Sequence, residues 1–319
     1  MLLDRIVGVY KLGGTKLIWL KVQDKLNKTD KGRAYLYRMM KDANPSNYPH
    51  ILELLYRQKT GSKLHLENPQ TFNEKIQWLK LYDSTPQKTR LADKYLVREW
   101  IKEKIGEEYL VPLLGVWDRF DDIDFSKLPD KFVLKCNHGS GWNYIVQDKE
   151  RFDKTDAKQK FDKWMSMNYA FCAGLELHYK DISPKIIAEQ YLEVAGGLKD
   201  YRFYCFNGMP LQCWVDLYSG TPAHIRSVFD MKWNKLDLKC TWPDGDGLLN
   251  EQPKNFEHMK ELAAILSEGF TFVRVDFFEV SGRLYMGEMT FTPMGGYGKF
   301  IPYIWDQRLG SLLRLPCDL

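Results

Sequence analysis

The sequence predicts an α+β fold built from more than one packed unit, and three observations predict it. The chain has 319 residues, beyond the roughly 250 to 300 at which a single hydrophobic core stops growing. Helical patterns dominate the start, whereas alternating apolar runs dominate the end. Between them, a strand, a glycine-rich loop and a second strand follow one another directly. The expected organisation is a helical N-terminal region over residues 1–88, a subdomain with a glycine-rich flap over 89–187, and a larger sheet subdomain over 188–319.

In chain order, residues 1 to about 65 read as helical and polar-faced. Thr71 and Glu74 form a capping-box pattern ahead of EKIQWLKLY and mark a helix start. A further helix is expected over Arg90 to Lys104, and a long one through DAKQKFDKWMSMNYAF. Strands resume at KIIAEQYLE, and EHMKELAAILSE at 257–268 reads as a helix closed by Gly269.

Hydrophobic content of 44% and charged content of 28% are those of an ordinary enzyme. The six cysteines, at 136, 172, 205, 213, 240 and 317, contain no CxxC pair, which argues for free thiols and against structural zinc. Cys136, beside Lys135, reads as oxidisable or as a small buried hydrophobe. Arg5, Lys11, Lys16, Lys21, Lys25, Lys28, Lys31, Arg33 and Arg38 face only Asp4, Asp24 and Asp30 in the first forty residues, although the whole chain carries just +4. Such a segment reads as a solvated helical face, or as a surface that rests on an anionic membrane or holds an acidic glycan. No recognition motif accompanies the charge, so nucleic acid is not an expected partner. Charges break the opening stretch and no run reaches the ~18 apolar residues of a span, so a cytoplasmic location with peripheral membrane contact is expected.

Chemistry concentrates in two places. In FVRVDFFEVSGRLYMGEMTFTP, a hairpin centred on Gly282 would set Asp276 opposite Glu288 and Arg274 opposite Thr290, putting two hard oxygen ligands within reach of one magnesium ion. A two-residue Ser281-Gly282 turn would instead set Asp276 opposite Gly287 and send Glu288 to the other face. Upstream, LPDKFVLKCNHGSGWNYIV runs from a strand through Lys135 into Gly139-Ser140-Gly141, whose backbone N–H groups can approach phosphate oxygens. Neither a P-loop nor a GxGxxG helix start is present.

Together and in this order, the segments TFNEKIQWLKLYD, LADKYLVREWI, FVLKCNHGSG, IIAEQYLE, DYRFYCFNG, and FVRVDFFEV followed by GEMTFTP resemble the ATP-grasp superfamily. Within it they resemble the TupA-like group of bacterial capsule, teichuronopeptide and O-antigen gene clusters, over roughly residues 60 to 315. The resemblance implies two α+β subdomains clasping ATP. It implies Lys94 and Lys135 on the α- and β-phosphates, with Gly139, Ser140 and Gly141 as the flap. It places Glu189, Gln190 and Leu192 near adenine and Glu193 on the ribose. Arg274, with Arg202, would neutralise the transferred phosphoryl group, and Asp276, Glu288 and Thr290 would hold Mg2+, with Glu288 bridging two ions. Most of the superfamily has Asn where this sequence has Thr290, a weaker neutral oxygen donor.

The implied activity is an ATP-dependent carboxylate-amine ligase that forms an amide through an acyl phosphate, joining a small amine or amino acid to a uronic-acid-type carboxylate in surface polysaccharide synthesis. On the acceptor side, Gly295 and Gly296 in PMGGYGKF could offer N–H groups to a carboxylate with Lys299 as counter-charge, or could simply turn the chain. His138 and Trp142 flank the flap, either as stacking surfaces or as core residues. A rival reading takes Asp244-Gly245-Asp246 as the DxD of a glycosyltransferase, although Asp122-Ile123-Asp124 matches the same pattern equally well. A third is a non-catalytic glycan-binding protein on the same fold.

Overall fold

The computed structural model describes residues 29–172 and 174–316. Most of the basic N-terminal stretch, and Cys317, lie outside the described residues. Five helices open the described chain: α1 (Asp30–Lys41), α2 (Tyr48–Thr60), α3 (Phe72–Tyr82), α4 (Pro86–Ala92) and α5 (Val97–Lys104). The capping box is present at α3, with Thr71 Oγ1 accepting from Glu74 N and Glu74 Oε2 accepting from Thr71 N.

The single helix expected over Arg90 to Lys104 is instead broken at residues 93–96. Asp93 causes the break, because its carboxylate accepts from the N–H groups of Tyr95 and Leu96 and so competes with helical pairing. The helix expected to run as far as Phe171 is also shorter. It is α6 (Lys154–Met165), followed by a separate 3-10 turn at Tyr169–Phe171.

An antiparallel four-stranded sheet comes next, in the order β1 (Leu113–Trp117), β4 (Ile186–Gln190), β2 (Phe132–Cys136), β3 (Asn143–Val146). Alternation gives it two faces. Phe132, Leu134, Cys136, Ile186 and Ala188 pack under Ala157 and Phe161 of α6. Lys135 and Glu189 belong to the alternate set and join side chains on the opposite face. The boundary drawn between residues 187 and 188 falls within β4, the strand paired with both β1 and β2. Cys136 is buried, and burial pushes its thiol up to about 12, which leaves it an inert core residue. The five described cysteines are all free.

The larger sheet is antiparallel with the order β10 (Arg283–Thr290), β9 (Phe272–Val280), β5 (Lys199–Phe206), β6 (Met209–Leu217), β7 (Ile225–Asp230), and the short β8 (Lys239–Cys240) lies outside it. Its back face, including Phe203, Cys205, Cys213, Val215, Val275 and Phe277, packs against Phe256, Met259, Leu262, Ala263 and Leu266 of α7 (Phe256–Ser267). That helix ends as expected, with Gly269 at a φ of +80° just beyond it.

The front face is divided along its length. Phe206, Tyr204, Trp214, Val228 and Phe272 form an apolar half covered by α3 and α8 (Ile304–Leu312). Asn73, at the start of α3, donates from both its backbone and side-chain nitrogens to Asp306 of α8 and ties this cover together. The other half of the face is polar and forms the site.

Candidate active site

Cross-strand pairing builds the polar half-face. Arg274 lies opposite Tyr204, Asp276 opposite Arg202, Asp200 opposite Asp216, and Asp216 opposite Arg226. Residues two apart on each strand share this face. The β9–β10 hairpin combines both registers anticipated from the sequence. Its turn is the two-residue Ser281-Gly282 form, with φ of 52° and 79°, as a type I′ turn requires. Arg283 therefore pairs with Val280, and Met286 with Phe277. A β-bulge between Met286 and Met289 then adds one residue, so beyond it Thr290 pairs with Arg274. Glycine at 287 suits the bulge, because a Cβ there would meet the Phe278 ring at 3.0 Å and the Asp276 carbonyl oxygen at 3.3 Å.

The bulge brings the two acids to one arginine. Arg274 donates to Asp276 in bidentate fashion (2.7 and 2.5 Å) and to Glu288 at 2.8 Å. Thr290 Oγ1 donates to Glu288 at 3.2 Å, and the Lys94 ammonium lies 3.9 Å from the same carboxylate. Burial works to raise both acids, with different results. It carries Asp276 up to about 6 against the pull of Arg274, whereas Lys94, Arg274 and Arg202 outweigh it at Glu288 and hold that carboxyl at about 2. Burial also lowers the Lys94 ammonium.

The helix break at Asp93 delivers Lys94 to this point. Asn137 of the β2–β3 loop donates to Asp93 Oδ2, its carbonyl accepts the Lys94 N–H, and Lys94 Nζ donates to the Gly139 carbonyl at 2.5 Å. The glycine loop is thus docked on Lys94. Ser140 faces the same cleft as Arg274 and Glu288, and Gly141 takes a φ of +72°. At Gly139 a Cβ would sit 2.6 Å from the Trp142 ring.

Lys135 pairs with Glu189 at 2.5 Å, and Arg98 reaches the same carboxylate at 3.2 Å. Gln190 ends β4, Leu192 follows it in the connecting loop, and Glu193 pairs with Lys131 at the surface. Arg202 joins the Arg274 group: it pairs with Asp200 at 2.5 Å and Asp216 at 2.6 Å, and lies 3.8 Å from Asp276.

The sequence reading missed Asp216, Arg226 and His224. Asp216 is 0% exposed, accepts two hydrogen bonds from Arg226 and lies 3.1 Å from His224 Nε2. Only strand pairing across β5, β6 and β7 shows that one carboxylate braces two arginines. His224 and Arg226, but not Asp216 beneath them, line a cleft of about 740 Å³ together with Ser140, Arg202, Arg274, Glu288, Trp242 and Lys299.

The sequence matches the TupA-like ATP-grasp family over residues 74–314. The chain belongs to that family. Solved structures of the ATP-grasp fold are similar to it at low identity. They include the D-alanine–D-alanine ligase of Helicobacter pylori (15% identity, 77% of this chain and 68% of that one, TM-score 0.41) and that of Bacillus anthracis complexed with ATP (16%, 63% and 55%, 0.39). The L-amino acid ligase of Bacillus licheniformis is similar at 15% over 67% of this chain and 47% of its own, with a TM-score of 0.40. The chain thus spans roughly half to two thirds of the solved structures it matches. None of the curated proteins is significantly similar in sequence.

An ATP-grasp site calls for magnesium, and the donor set fits it. Among the described residues no three His, Cys, Asp or Glu side chains converge as a metal-binding group. Two carboxylates and a hydroxyl around one arginine are nevertheless what Mg2+ needs when it takes its other ligands from phosphate and water.

The residues considered for the acceptor side, each expected either as a substrate contact or as a structural residue, mostly bond within the protein. His138 is buried, with its ring nitrogens against Asn137 Oδ1 and the Trp164 carbonyl, and its ring edge-on to Trp142 at 5.1 Å. Trp142 stacks with Trp164, so both residues support the flap loop from behind. The Gly295 N–H is already bonded to the Thr292 carbonyl and cannot serve a substrate carboxylate. The Gly295 and Gly296 carbonyls instead accept from Gln77, and Gly295 also accepts from the fully buried Lys80. Lys299 is exposed and does line the cleft.

The DxD acids are engaged elsewhere. Asp244 accepts from Ser227 at 2.8 Å and pairs with Lys235 at 2.8 Å, and Asp246 pairs with the same lysine. Asp122 is held by Arg119, and Asp124 by Ser126. No helix among the described residues is long and apolar enough to cross a membrane.

Proposed function

We propose that this chain is an ATP-dependent carboxylate-amine ligase acting on a uronic-acid-type carboxylate of a surface polysaccharide or its precursor, with a small amine or amino acid as second substrate. The convergence of Lys94, Arg274, Asp276 and Glu288 on one strip of sheet beneath the docked glycine loop carries this reading.

In it, Lys94 and Lys135 hold the α- and β-phosphates, and the backbone of Gly139, Ser140 and Gly141 closes over them and excludes water. Glu189, Gln190, Leu192 and Glu193 lie along the adenosine side. Asp276, Glu288 and Thr290 hold magnesium, whose charge lowers the electrostatic cost of phosphoryl transfer. Arg274, supported by Arg202, faces the negative charge that grows as phosphorus moves to the acceptor carboxylate. No covalent nucleophile from the protein is required. The resulting acyl phosphate is open to attack by the amine, which gives an amide and releases phosphate.

Hydroxylamine tests this directly. Supplied in place of the amine, it should yield a hydroxamate only when ATP and the carboxylate substrate are both present. Oxygen-18 in that carboxylate should appear in the released phosphate. Label kept wholly in the organic product would mean phosphorylation of an alcohol and would end the ligase reading.

A further inference from the structure

Arg274 and Glu288 line two cavities. In the 740 Å³ cleft Glu288 is the one acid among the described lining residues, and it is already bound to Arg274. Asp200 and Asp216 lie beneath that cleft, tied to their arginines. The second cavity is a chamber of about 210 Å³ that Ser140, Thr290 and Thr292 also line, and its charged side chains beyond the shared pair are Glu176 and Lys59. At ~30 Å³ per liquid water the chamber has room for about seven waters, or for one small amino acid.

Glu176 is built into this chamber. It is 6% exposed, and Thr292 Oγ1 donates to its Oε2, which fixes the carboxylate two residues past Thr290 of the candidate metal site. Its Oε1 stays accessible and accepts no hydrogen bond among the described residues. A carboxylate withdrawn from water with one oxygen unsatisfied marks where a donor belongs. Burial and, after it, Glu176 push up the phenols of Tyr169 and Tyr179, with a smaller push from Glu288, so both tyrosines neighbour both acids. Their faces suit an ammonium group. Lys59 supplies the opposite sign, with its ammonium 4.1 Å from the Tyr297 ring centroid, whereas the buried Lys80, 4.6 Å from the same ring, does not line the chamber.

We propose that this chamber receives the nucleophile as a zwitterionic amino acid, that Glu176 Oε1 holds its ammonium and takes a proton from it, and that Lys59 holds its carboxylate. The subsite rests on the ligase reading, because the acyl phosphate forms at Arg274 and Glu288, where cleft and chamber meet. An ammonium has no lone pair and must lose a proton before it attacks. Lys94 and Arg274 are cations, Glu288 is held at about 2, and Asp276 lines neither cavity, which leaves Glu176 as the base. Glu176 takes the first proton, and the freed nitrogen pair forms the bond to the acyl carbon. The carbon–oxygen bond to phosphate then breaks, and the departing phosphate takes the second proton. Amide, hydrogen phosphate and protonated Glu176 account for all three N–H protons. A simple amine gains nothing from Lys59, and a simple acid nothing from Glu176.

The test follows binding by NMR titration of glycine, ethylamine and propionate against the complex with magnesium and a non-hydrolysable ATP analogue, in the wild type, Glu176→Gln and Lys59→Met. Wild type should bind glycine at least tenfold more tightly than either single-charge probe, a ranking that needs no variant. Glu176→Gln should weaken glycine and ethylamine tenfold or more, and Lys59→Met should weaken glycine alone, with affinity for the analogue unchanged in both. No glycine binding in a wild type that binds the analogue overturns the subsite, as does equal glycine affinity in wild type and Glu176→Gln, and the ligase reading survives either result. In turnover, Glu176→Gln should slow amide formation from glycine at least tenfold yet leave hydroxamate formation within about twofold, because hydroxylamine is uncharged at pH 7 and gives up no proton before it attacks. Equal loss of both rates would reduce Glu176 to a structural role and overturn it as the base. Glycine binding that depends on Glu176, with no hydroxamate from the wild type, supports the subsite and sinks the ligase reading instead.

Discussion

Asp216→Asn isolates the energetics of the arginine brace. The carboxylate is 0% exposed, accepts from Arg226 Nε at 2.5 Å and Arg226 Nη2 at 2.7 Å, and forms an ion pair with Arg202 Nη1 at 2.6 Å. Asparagine keeps the volume, but it removes the charge and turns an NH2 group toward a guanidinium. Arg202 retains Asp200, whereas Arg226 has no other ion-pair partner among the described residues. Breaking a buried pair costs about 3 to 5 kcal/mol, and the partner left to Arg202 puts this case near about 3 kcal/mol.

The pH dependence has a definite sign. Burial works to raise the Asp216 carboxyl, but Arg226 and Arg202 outweigh it and hold it at about 2, below its ordinary 3.8. A carboxyl depressed on folding stabilises the fold above its unfolded pKa, and that contribution, about 2 kcal/mol, is lost as pH falls from about 4 through about 2. Urea unfolding at pH 7 and at pH 4 and below checks this, with Asp122→Asn in the exposed Arg119 pair as a control that should show no measurable change. A loss below about 1 kcal/mol at pH 7, or a wild-type advantage that grows as pH falls, would refute the reasoning.

Asp276→Asn and Glu288→Gln should each abolish ADP release while the proteins stay folded, and Asp244→Asn and Asp246→Asn should leave it within about twofold, because Lys235 already engages the second pair. Survival of activity in the first pair and loss in the second would reverse the site assignment. Gly139→Ala should raise the KM for ATP with little change in the melting temperature, since a Cβ there meets Trp142 and Tyr169 and displaces the flap loop; an unchanged KM would show that the loop takes no part in nucleotide binding. Burial lowers Lys80 to about 7, so the unfolded chain binds the extra proton between pH 7 and 10.5 and wild-type stability should rise with pH across that window. Lys80→Met should rise less in urea midpoints at pH 7 and 9, and an identical slope would mean that Lys80 is charged throughout.

Much of the site was legible because its residues fall within short motifs. Arg274, Asp276, Glu288 and Thr290 lie within seventeen residues, where strand alternation puts Arg274 on one face with Asp276 and Glu288 on one face with Thr290. The capping box at Thr71 and Glu74 and the Gly269 helix end were also local, and the structure contains both. Their physics needs only near neighbours. Lys94 was legible only as a lysine next to an aspartate. The break in the helix that presents it depends on Asp93 competing for N–H groups and on Asn137, more than forty residues away, holding that aspartate.

Local pattern determined the α+β class, the glycine loop between two strands and the acids of the C-terminal hairpin, since periodicity and turn chemistry act over a few residues. Tertiary structure decided three further things. The bulge at Gly287 restored the pairing that a two-residue turn would have lost, by adding one residue where a Cβ would press tightly on Phe278 and the Asp276 carbonyl. The carbonyls of Gly295 and Gly296 faced the buried Gln77 and Lys80, since a lysine sealed from water must find acceptors wherever the chain offers them. The pairing of Asp216 with Arg226 and Arg202 drew on three strands at once, and no spacing along one strand encodes which neighbour lies across the next.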